Sequence, residues 1–243
     1  MPTALPATKF PGAVPTLNGR GFMLEALDDF AQDFVDAAAR APGESLDMGC
    51  AYGIATLAAL DQGARMCACD MEPRHLEVLA ERAPPEQKSR LRTVVGTLPD
   101  VQFPPGSFNA ILASRVIHFL SGDDIRAVLG AMFTWLVPGG RLFVVADTPY
   151  MPGWNQIAPV YESAKAKGDA WPGFIPDFAR YRQNNTDSGA GPKFLNTLDA
   201  EILARECARA GFAVERAGFF GLQRLGAAAN GREHAGCAAR RPL

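Results

Sequence analysis

The sequence lacks the features that mark nucleic-acid-binding, membrane-spanning and disulfide-stabilised proteins. Its 24 Lys and Arg residues stand against 26 Asp and Glu, so the net charge is −2 and there is no general basic field. No segment approaches the roughly 20 consecutive apolar residues that cross a bilayer. The five cysteines contain no C-x-x-C pair. A nucleic-acid partner, a membrane location and a disulfide framework are therefore not expected.

The sequence also lacks the patterns of a signal peptide and of a metal site. Residues 1–22 contain no charged start followed by an apolar stretch, so no signal peptide is predicted and the expected location is cytoplasmic. No group of histidines and carboxylates has the spacing of metal ligands, so no metal is expected. Nothing in the composition indicates an oligomeric state.

Strand-like runs alternate with helical segments along most of the chain. Strands are predicted at 45–48, 65–69, 91–95, 108–113, 141–146, 212–217 and 234–239, the last two as a hairpin. Helices are predicted at 24–40, 53–60, 73–82, 121–135 and 198–210, the last capped by Asn196 or Thr197. This alternation predicts an α/β fold with a doubly wound, Rossmann-like sheet of about seven strands, mostly parallel with an antiparallel C-terminal strand.

Two segments interrupt this rhythm within what is expected to be a single domain, 1–243. Residues 1–22 are rich in proline and glycine and are predicted to form an irregular N-terminal arm. Residues 148–195 hold two of the three tryptophans and three of the four tyrosines. Their position between the last parallel strand and the next helix predicts an insertion that covers a substrate.

The segment from Leu46 to Ile54 reads Leu-Asp-Met-Gly-Cys-Ala-Tyr-Gly-Ile. It places Asp47 at the end of a strand, then a tight turn of small residues, then the start of a helix. Small residues let a ligand approach the backbone, and a helix N-terminus favours negatively charged groups. Asp70, at the end of the next strand, suits the two hydroxyls of a ribose.

Two details favour a ligand other than a dinucleotide. The dinucleotide fingerprint needs glycine at 49, 51 and 54, and this chain has Gly49, Ala51 and Ile54. The Asp47 carboxylate would repel a pyrophosphate, but it suits a ligand that carries an ammonium group and a sulfonium.

The segment resembles the first motif of the class I S-adenosylmethionine-dependent methyltransferases. Further segments match the family in order and spacing: 70–71, 104–112, 136–142 and 210–212. The resemblance covers residues 44–147 and 197–240 and implies that S-adenosylmethionine is the cofactor. It assigns these residues to cofactor binding: Asp47, Gly49, Cys50, Ala51, Gly53, Asp70, Met71, Thr97, Leu98 and Ser114. Ala51 replaces the middle glycine of the family and is expected to fit at a negative φ.

The acceptor site is predicted where the fourth and fifth parallel strands end. His118 is the candidate general base, because its ordinary pKa suits proton transfer near neutrality; the alternative is a residue that packs under the next helix. Asp147 and Tyr150 follow the fifth strand and are predicted to face the same site, Asp147 as a second catalytic group. Arg115 is a candidate for a substrate carboxylate or phosphate. His75 is expected to be structural and His234 exposed.

Aromatic residues of the insertion are the remaining candidates for substrate binding. The alternative is that they form a separate small core under a long loop. They are Trp154, Tyr161, Trp171, Phe174 and Tyr181. The favoured function is methyl transfer to O, N or C of a small molecule. The alternatives are another reaction on the same cofactor, a cofactor-binding protein without catalysis, and, disfavoured by its glycine spacing, a nicotinamide oxidoreductase.

Overall fold

The structure is a computed structural model that describes residues 5–7, 12–152, 154, 156–181, 192–221 and 229–243. Its strands are β1 (Ala13–Pro15), β2 (Phe22–Leu24), β3 (Glu44–Met48), β4 (Arg65–Asp70), β5 (Leu91–Val95), β6 (Phe108–Ser114), β7 (Leu136–Asp147), β8 (Phe174–Ile175), β9 (Leu195–Asn196), β10 (Ala213–Phe220) and β11 (His234–Arg240). Its α-helices are α1 (Asp29–Arg40), α2 (Ile54–Asp61), α3 (Pro73–Arg82), α4 (Gly122–Trp135), α5 (Ile157–Ala166) and α6 (Ala200–Arg209).

Seven strands form one sheet in the order β10-β11-β7-β6-β3-β4-β5. The pairs from β7 to β5 are parallel, and β11 runs antiparallel to both of its neighbours. The predicted doubly wound, mostly parallel sheet with an antiparallel C-terminal strand is therefore confirmed. β11 does more than form a hairpin with β10, because it inserts between β10 and β7 and pairs with both.

Helices cover the two faces of the sheet and divide the core. One apolar cluster joins α1 and α2 to side chains such as Met66, Leu112 and Phe143. The other joins α4 and α6 to the opposite face, including Cys67 and Cys69. The alternation of Met66 and Cys67 between the clusters is the period-two pattern of a strand buried on both faces. None of the described helices combines the length and the apolar character needed to cross a bilayer.

Element boundaries differ from the sequence prediction where capping side chains decide them. Ser121 caps α4 as predicted, with its Oγ accepting from Asp124 N at 3.2 Å. α6 is capped by Asp199, which accepts from Ile202 N at 2.8 Å, rather than by Asn196 or Thr197. α1 begins at Asp29 and not near Leu24, because Asp28 accepts from Phe30 N and Ala31 N. Residues 22–24 are instead strand β2.

The predicted irregular arm contains a β-hairpin in its described part. β1 and β2 pair antiparallel, with Ala13 opposite Leu24. Remote contacts fix the hairpin on the body of the protein: Tyr52 Oη donates to Pro15 O at 2.8 Å, and Leu17 N donates to His75 Nε2 at 2.9 Å. The proline-rich sequence does not indicate this hairpin, because the residues that anchor it, Tyr52 and His75, lie outside the arm.

The turn between β3 and α2 contains three residues in left-handed conformations. Gly49 has φ +73°, Ala51 φ +46° and Gly53 φ +76°. The expectation that Ala51 adopts a negative φ is thus wrong. A left-handed conformation costs a residue with a Cβ roughly 1–2 kcal/mol, so Ala51 stores strain where the family has glycine. A Cβ on Gly53 would lie only 2.3 Å from Leu79 Cδ1, which explains the glycine there.

Exchanging glycine and alanine at these two positions should have unequal effects on the free energy of unfolding. We expect Ala51→Gly to change the free energy of unfolding by less than about 1 kcal/mol, because relief of strain offsets the lost methyl contacts. We expect Gly53→Ala to lower it by about 2 kcal/mol or more, since strain and overpacking add. Urea unfolding of both variants measures this. A larger loss for Ala51→Gly than for Gly53→Ala would contradict the backbone assignment.

Candidate active site

A cavity of about 900 Å³ lies at the carboxyl ends of the parallel strands. This is where ligands bind in open α/β sheets. Its volume is near the upper end of the range for ligand pockets, roughly 300–1,000 Å³. The hairpin of β1 and β2 lines one side of it, and residues after β7 line the other. The cavity brings together most of the residues that the sequence singled out, in two groups.

The first group lies at the carboxyl ends of β3, β4, β5 and β6 and contains every predicted cofactor-binding residue except Gly53. The residues on the cavity wall are Asp47, Gly49, Cys50, Ala51, Asp70, Met71, Thr97, Leu98 and Ser114. Gly53 is the N-cap of α2 and packs against Leu79, so it shapes the turn and does not line the cavity. Binding of a cofactor by these residues stays a prediction.

Asp70 is almost fully buried and accepts three bonds from the protein. Its Oδ2 accepts from Ala51 N at 2.8 Å, and its Oδ1 accepts from Glu72 N at 2.9 Å and lies 3.0 Å from His75 Nδ1. Since Leu17 N donates to His75 Nε2, the proton of this imidazole must be on Nδ1, facing Asp70. A carboxylate has about four lone-pair sites, so one site on Oδ2 is left for a ligand hydroxyl.

Asp47 is the second carboxylate of this group. It accepts from Thr56 Oγ1 at 2.7 Å, and burial raises its pKa to about 6, although the bond from Thr56 opposes the shift. The charge of nearby Asp70 makes a smaller contribution to the same rise in pKa. The site thus holds a carboxylate that is costly to ionise until a positive charge approaches it.

The second group lies at the ends of β6 and β7. His118 and Asp147 line the cavity, and His118 Nε2 lies 3.9 Å from Asp147 Oδ2. His234 belongs to the same group: its Nδ1 lies 3.0 Å from Asp147 Oδ1. The expectation that His234 is exposed is wrong, since it is 2% exposed. It is the first residue of β11 and pairs directly with Asp147 in the sheet.

Charges in this second group are set by burial and by mutual contact. Burial lowers the pKa of His118 and keeps this imidazole neutral at pH 7. Burial raises the pKa of Asp147, but His234, with Nδ1 at 3.0 Å from Oδ1, and the guanidinium of Arg115 favour the carboxylate, so the net pKa is lowered. Asp147 is therefore an ionised carboxylate at neutral pH.

Arg115 lies on the cavity wall but already has an anionic partner. Its Nη2 is 2.9 Å from Asp28 Oδ2, and its Nη1 donates to Ser114 Oγ at 2.9 Å. Asp28 is the N-cap of α1. Its pairing with Arg115 is not evident from the sequence, because the two residues are far apart in the chain. The role of Arg115 in substrate binding stays a prediction.

Two predicted substrate residues lie elsewhere. Tyr150 is outside the cavity wall: it packs on Tyr161 and Phe219 and donates to Glu162. Trp171 packs against α4 and α6, with its ring 5.2 Å from the Arg126 guanidinium and 5.7 Å from that of Arg205. These cation–π contacts fix it there.

The other aromatic residues of the insertion divide in the same way. Trp154 lines the cavity and packs edge-on against Phe178, whose ring centroid is 5.2 Å away. Tyr161 is buried outside the cavity wall, and Phe174 is largely exposed. The Tyr181 side chain lies outside the described part of the chain. Among the residues that the structure describes, no group of His, Cys, Asp and Glu could hold a metal ion.

Comparison with known proteins agrees with this architecture. Residues 46–144 match the family model described as a methyltransferase domain. The chain is 31% identical over 123 residues to the ubiquinone biosynthesis O-methyltransferase of Xanthomonas campestris pv. campestris, which covers 50% of this chain and 50% of that protein. The chain spans half or less of the length of the curated relatives it matches.

Two solved structures share the fold. One is a S-adenosylmethionine-dependent methyltransferase of Methanosarcina mazei, with a TM-score of 0.64, 14% identity and coverage of 89% of this chain and 99% of that one. The other is a Burkholderia thailandensis 1,6-didemethyltoxoflavin N1-methyltransferase with bound substrate and S-adenosylhomocysteine (TM-score 0.58, 17% identity, coverage 88% and 79%). The match of residues 46–144 to a methyltransferase domain confirms the resemblance to S-adenosylmethionine-dependent methyltransferases that was found in the sequence.

The burial of Asp47 makes a testable contribution to stability. Its pKa is about 6 in the folded protein and near 3.8 in the unfolded chain, so the folded state holds the proton more tightly and stability falls as pH rises from about 4 through 6. We expect the free energy of unfolding of Asp47→Asn, compared with that of wild type, to be about 2–3 kcal/mol more favourable at pH 7 than at pH 4. Urea unfolding across this pH range measures the difference.

Asp147→Asn is the matched control, because the pKa of Asp147 is shifted in the opposite direction. Its carboxylate stabilises the folded state above the unfolded pKa, and this stabilisation is lost as pH falls. The asparagine variant should therefore be less stable than wild type at pH 7 and approach it in acid. The same pH trend in both variants would contradict the two pKa directions.

Proposed function

We propose that the protein transfers a methyl group from S-adenosylmethionine to a small-molecule acceptor inside the cavity. The observation that carries this proposal is the meeting of two polar groups in one cavity: Asp47 and Asp70 at the ends of β3 and β4, and His118 with Asp147 at the ends of β6 and β7. One group suits the cofactor, and the other suits the acceptor.

The residues at the cofactor end fit S-adenosylmethionine. The Asp47 carboxylate, raised in pKa by burial, suits the ammonium group, which would repay the cost of its ionisation. Asp70 has one open lone-pair site for a ribose hydroxyl, and Met71 and Leu98 supply apolar wall for the adenine. When bound, the cofactor supplies a methyl group already activated by a sulfonium. The protein then has to align the reactants and exclude water.

The acceptor end is an apolar pocket with few polar groups. Its wall includes Phe119, Met151, Trp154, Phe178 and Leu195. Such a wall suits a compact organic molecule, with His118, Asp147 and His234 as the polar groups that fix its orientation. The described part of the insertion contributes four of these five wall residues, which supports its role as a substrate cover.

The proposal includes the expectations about partners and location. The net charge of −2 supports the absence of a nucleic-acid partner, and five buried free cysteines agree with the reducing cytoplasm. Another reaction on the same cofactor, or cofactor binding without catalysis, remains as an alternative. Incubation with labelled S-adenosylmethionine and analysis of the products distinguishes these from methyl transfer.

Calorimetric titration tests the cofactor assignment. We expect saturable binding of S-adenosylhomocysteine and none of NADH. We expect Asp70→Asn to weaken the binding at least tenfold, because a charged hydrogen bond contributes about 1.5–3 kcal/mol. Tyr150→Phe is the control, since it removes a hydroxyl outside the cavity wall and should leave the affinity unchanged. Saturable NADH binding without a response to S-adenosylhomocysteine would overturn the assignment.

A further inference from the structure

The tautomer of His118 is fixed by the backbone. The N–H of Asp147 donates to His118 Nδ1 over 3.1 Å. A peptide N–H can only donate, so Nδ1 must be the acceptor and its lone pair is occupied. Because burial lowers the pKa of His118 and keeps the ring neutral, the single proton of the imidazole is on Nε2. His118 therefore presents a hydrogen-bond donor to the cavity, and not the lone pair that a general base needs.

The neighbouring carboxylate supplies the complementary group. Asp147 Oδ2 lies 3.9 Å from His118 Nε2, and the Asp147 side chain is 21% exposed. The two atoms are close enough for one oxygen to lie within hydrogen-bond distance, about 2.8 Å, of both. A hydroxyl can accept one hydrogen bond and donate another through a single atom, as this arrangement requires.

The charges around this pair favour an uncharged acceptor. The groups that face it are the Asp147 carboxylate, His234 and the guanidinium of Arg115. The guanidinium is paired with Asp28 at 2.9 Å, and the aromatic residues Phe119, Trp154 and Phe178 lie on the wall of the same cavity. An anionic substrate would have to approach the ionised Asp147, and Arg115, the guanidinium that acts on this carboxylate, is already paired.

We propose, on the basis of the proposed function, that His118 Nε2–H and the Asp147 carboxylate together bind the reacting hydroxyl of an uncharged acceptor. Asp147, and not His118, receives its proton. As the oxygen–methyl bond forms, the carbon–sulfur bond breaks with its electron pair remaining on sulfur, and the hydroxyl proton passes to Asp147 and then to water. A weakly basic carboxylate suffices, because the oxygen becomes strongly acidic only as it is alkylated. His118 holds the oxygen in place throughout.

The tautomer can be tested without any acceptor. The chain has only three histidines, so a long-range ¹H–¹⁵N correlation spectrum of the ¹⁵N-labelled full chain can be assigned with His118→Gln and His234→Gln. At pH 7 we expect His118 as the neutral Nε2–H tautomer and His75 as the Nδ1–H tautomer. A cationic His118, or one protonated on Nδ1, would overturn the proposal.

A pair of probes of similar shape tests the hydroxyl assignment. In the presence of saturating S-adenosylhomocysteine, at a pH where free 4-nitrophenol is un-ionised, we expect saturable binding of 4-nitrophenol and at least tenfold weaker binding of 4-nitrobenzoate. His118→Gln keeps an N–H donor and should retain the affinity for 4-nitrophenol within about threefold. His118→Ala and Asp147→Asn should each weaken it about tenfold.

The outcomes separate this proposal from the proposed function. Equal losses in His118→Gln and His118→Ala, stronger binding of 4-nitrobenzoate, or no binding of 4-nitrophenol while S-adenosylhomocysteine still binds would each overturn the hydroxyl site alone. Failure of S-adenosylhomocysteine to bind the wild-type protein would instead overturn the proposed function.

Discussion

The buried carboxylate of Asp70 is the constraint on which the architecture of the cavity depends. Through Ala51 N it holds the turn after β3, and through Glu72 N it holds the residue that caps α3. Through His75 it reaches Leu17 in the N-terminal hairpin. The turn after β3, the start of α3 and the N-terminal hairpin are thus all connected to the Asp70 side chain. A buried charge needs such a set of donors. Here one donor comes from the turn after β3 and two come from the start of α3.

The sequence was sufficient to predict the fold because its signals are local. Alternating strands and helices, the turn after Asp47 and the capping of α4 by Ser121 are each encoded within a few residues. The meeting of the predicted cofactor-binding residues in one cavity could be predicted for the same reason. Parallel strands bring their carboxyl ends to one edge of the sheet, so acids at two strand ends must be near each other.

The errors concern contacts between remote segments. His234 is buried because β11 inserts beside β7, and the sequence alone does not show this insertion. Tyr150 and Trp171 lie outside the cavity wall, where Tyr150 packs on Phe219 and Trp171 contacts two arginines from distant parts of the chain. The left-handed φ of Ala51 could not be deduced from composition, since the side chain there only replaces a glycine.

The insertion of β11 has a consequence for the synthesis of the protein. The turn after β3 and the acids at the ends of β3 and β4 lie in the first third of the chain, whereas His234 reaches Asp147 only through residues 234–240. Domains generally fold as units, and the chain leaves the ribosome N-terminus first. The seven-stranded sheet therefore cannot be completed until nearly the whole chain has been synthesised, because β11 is the last strand made and lies between β10 and β7.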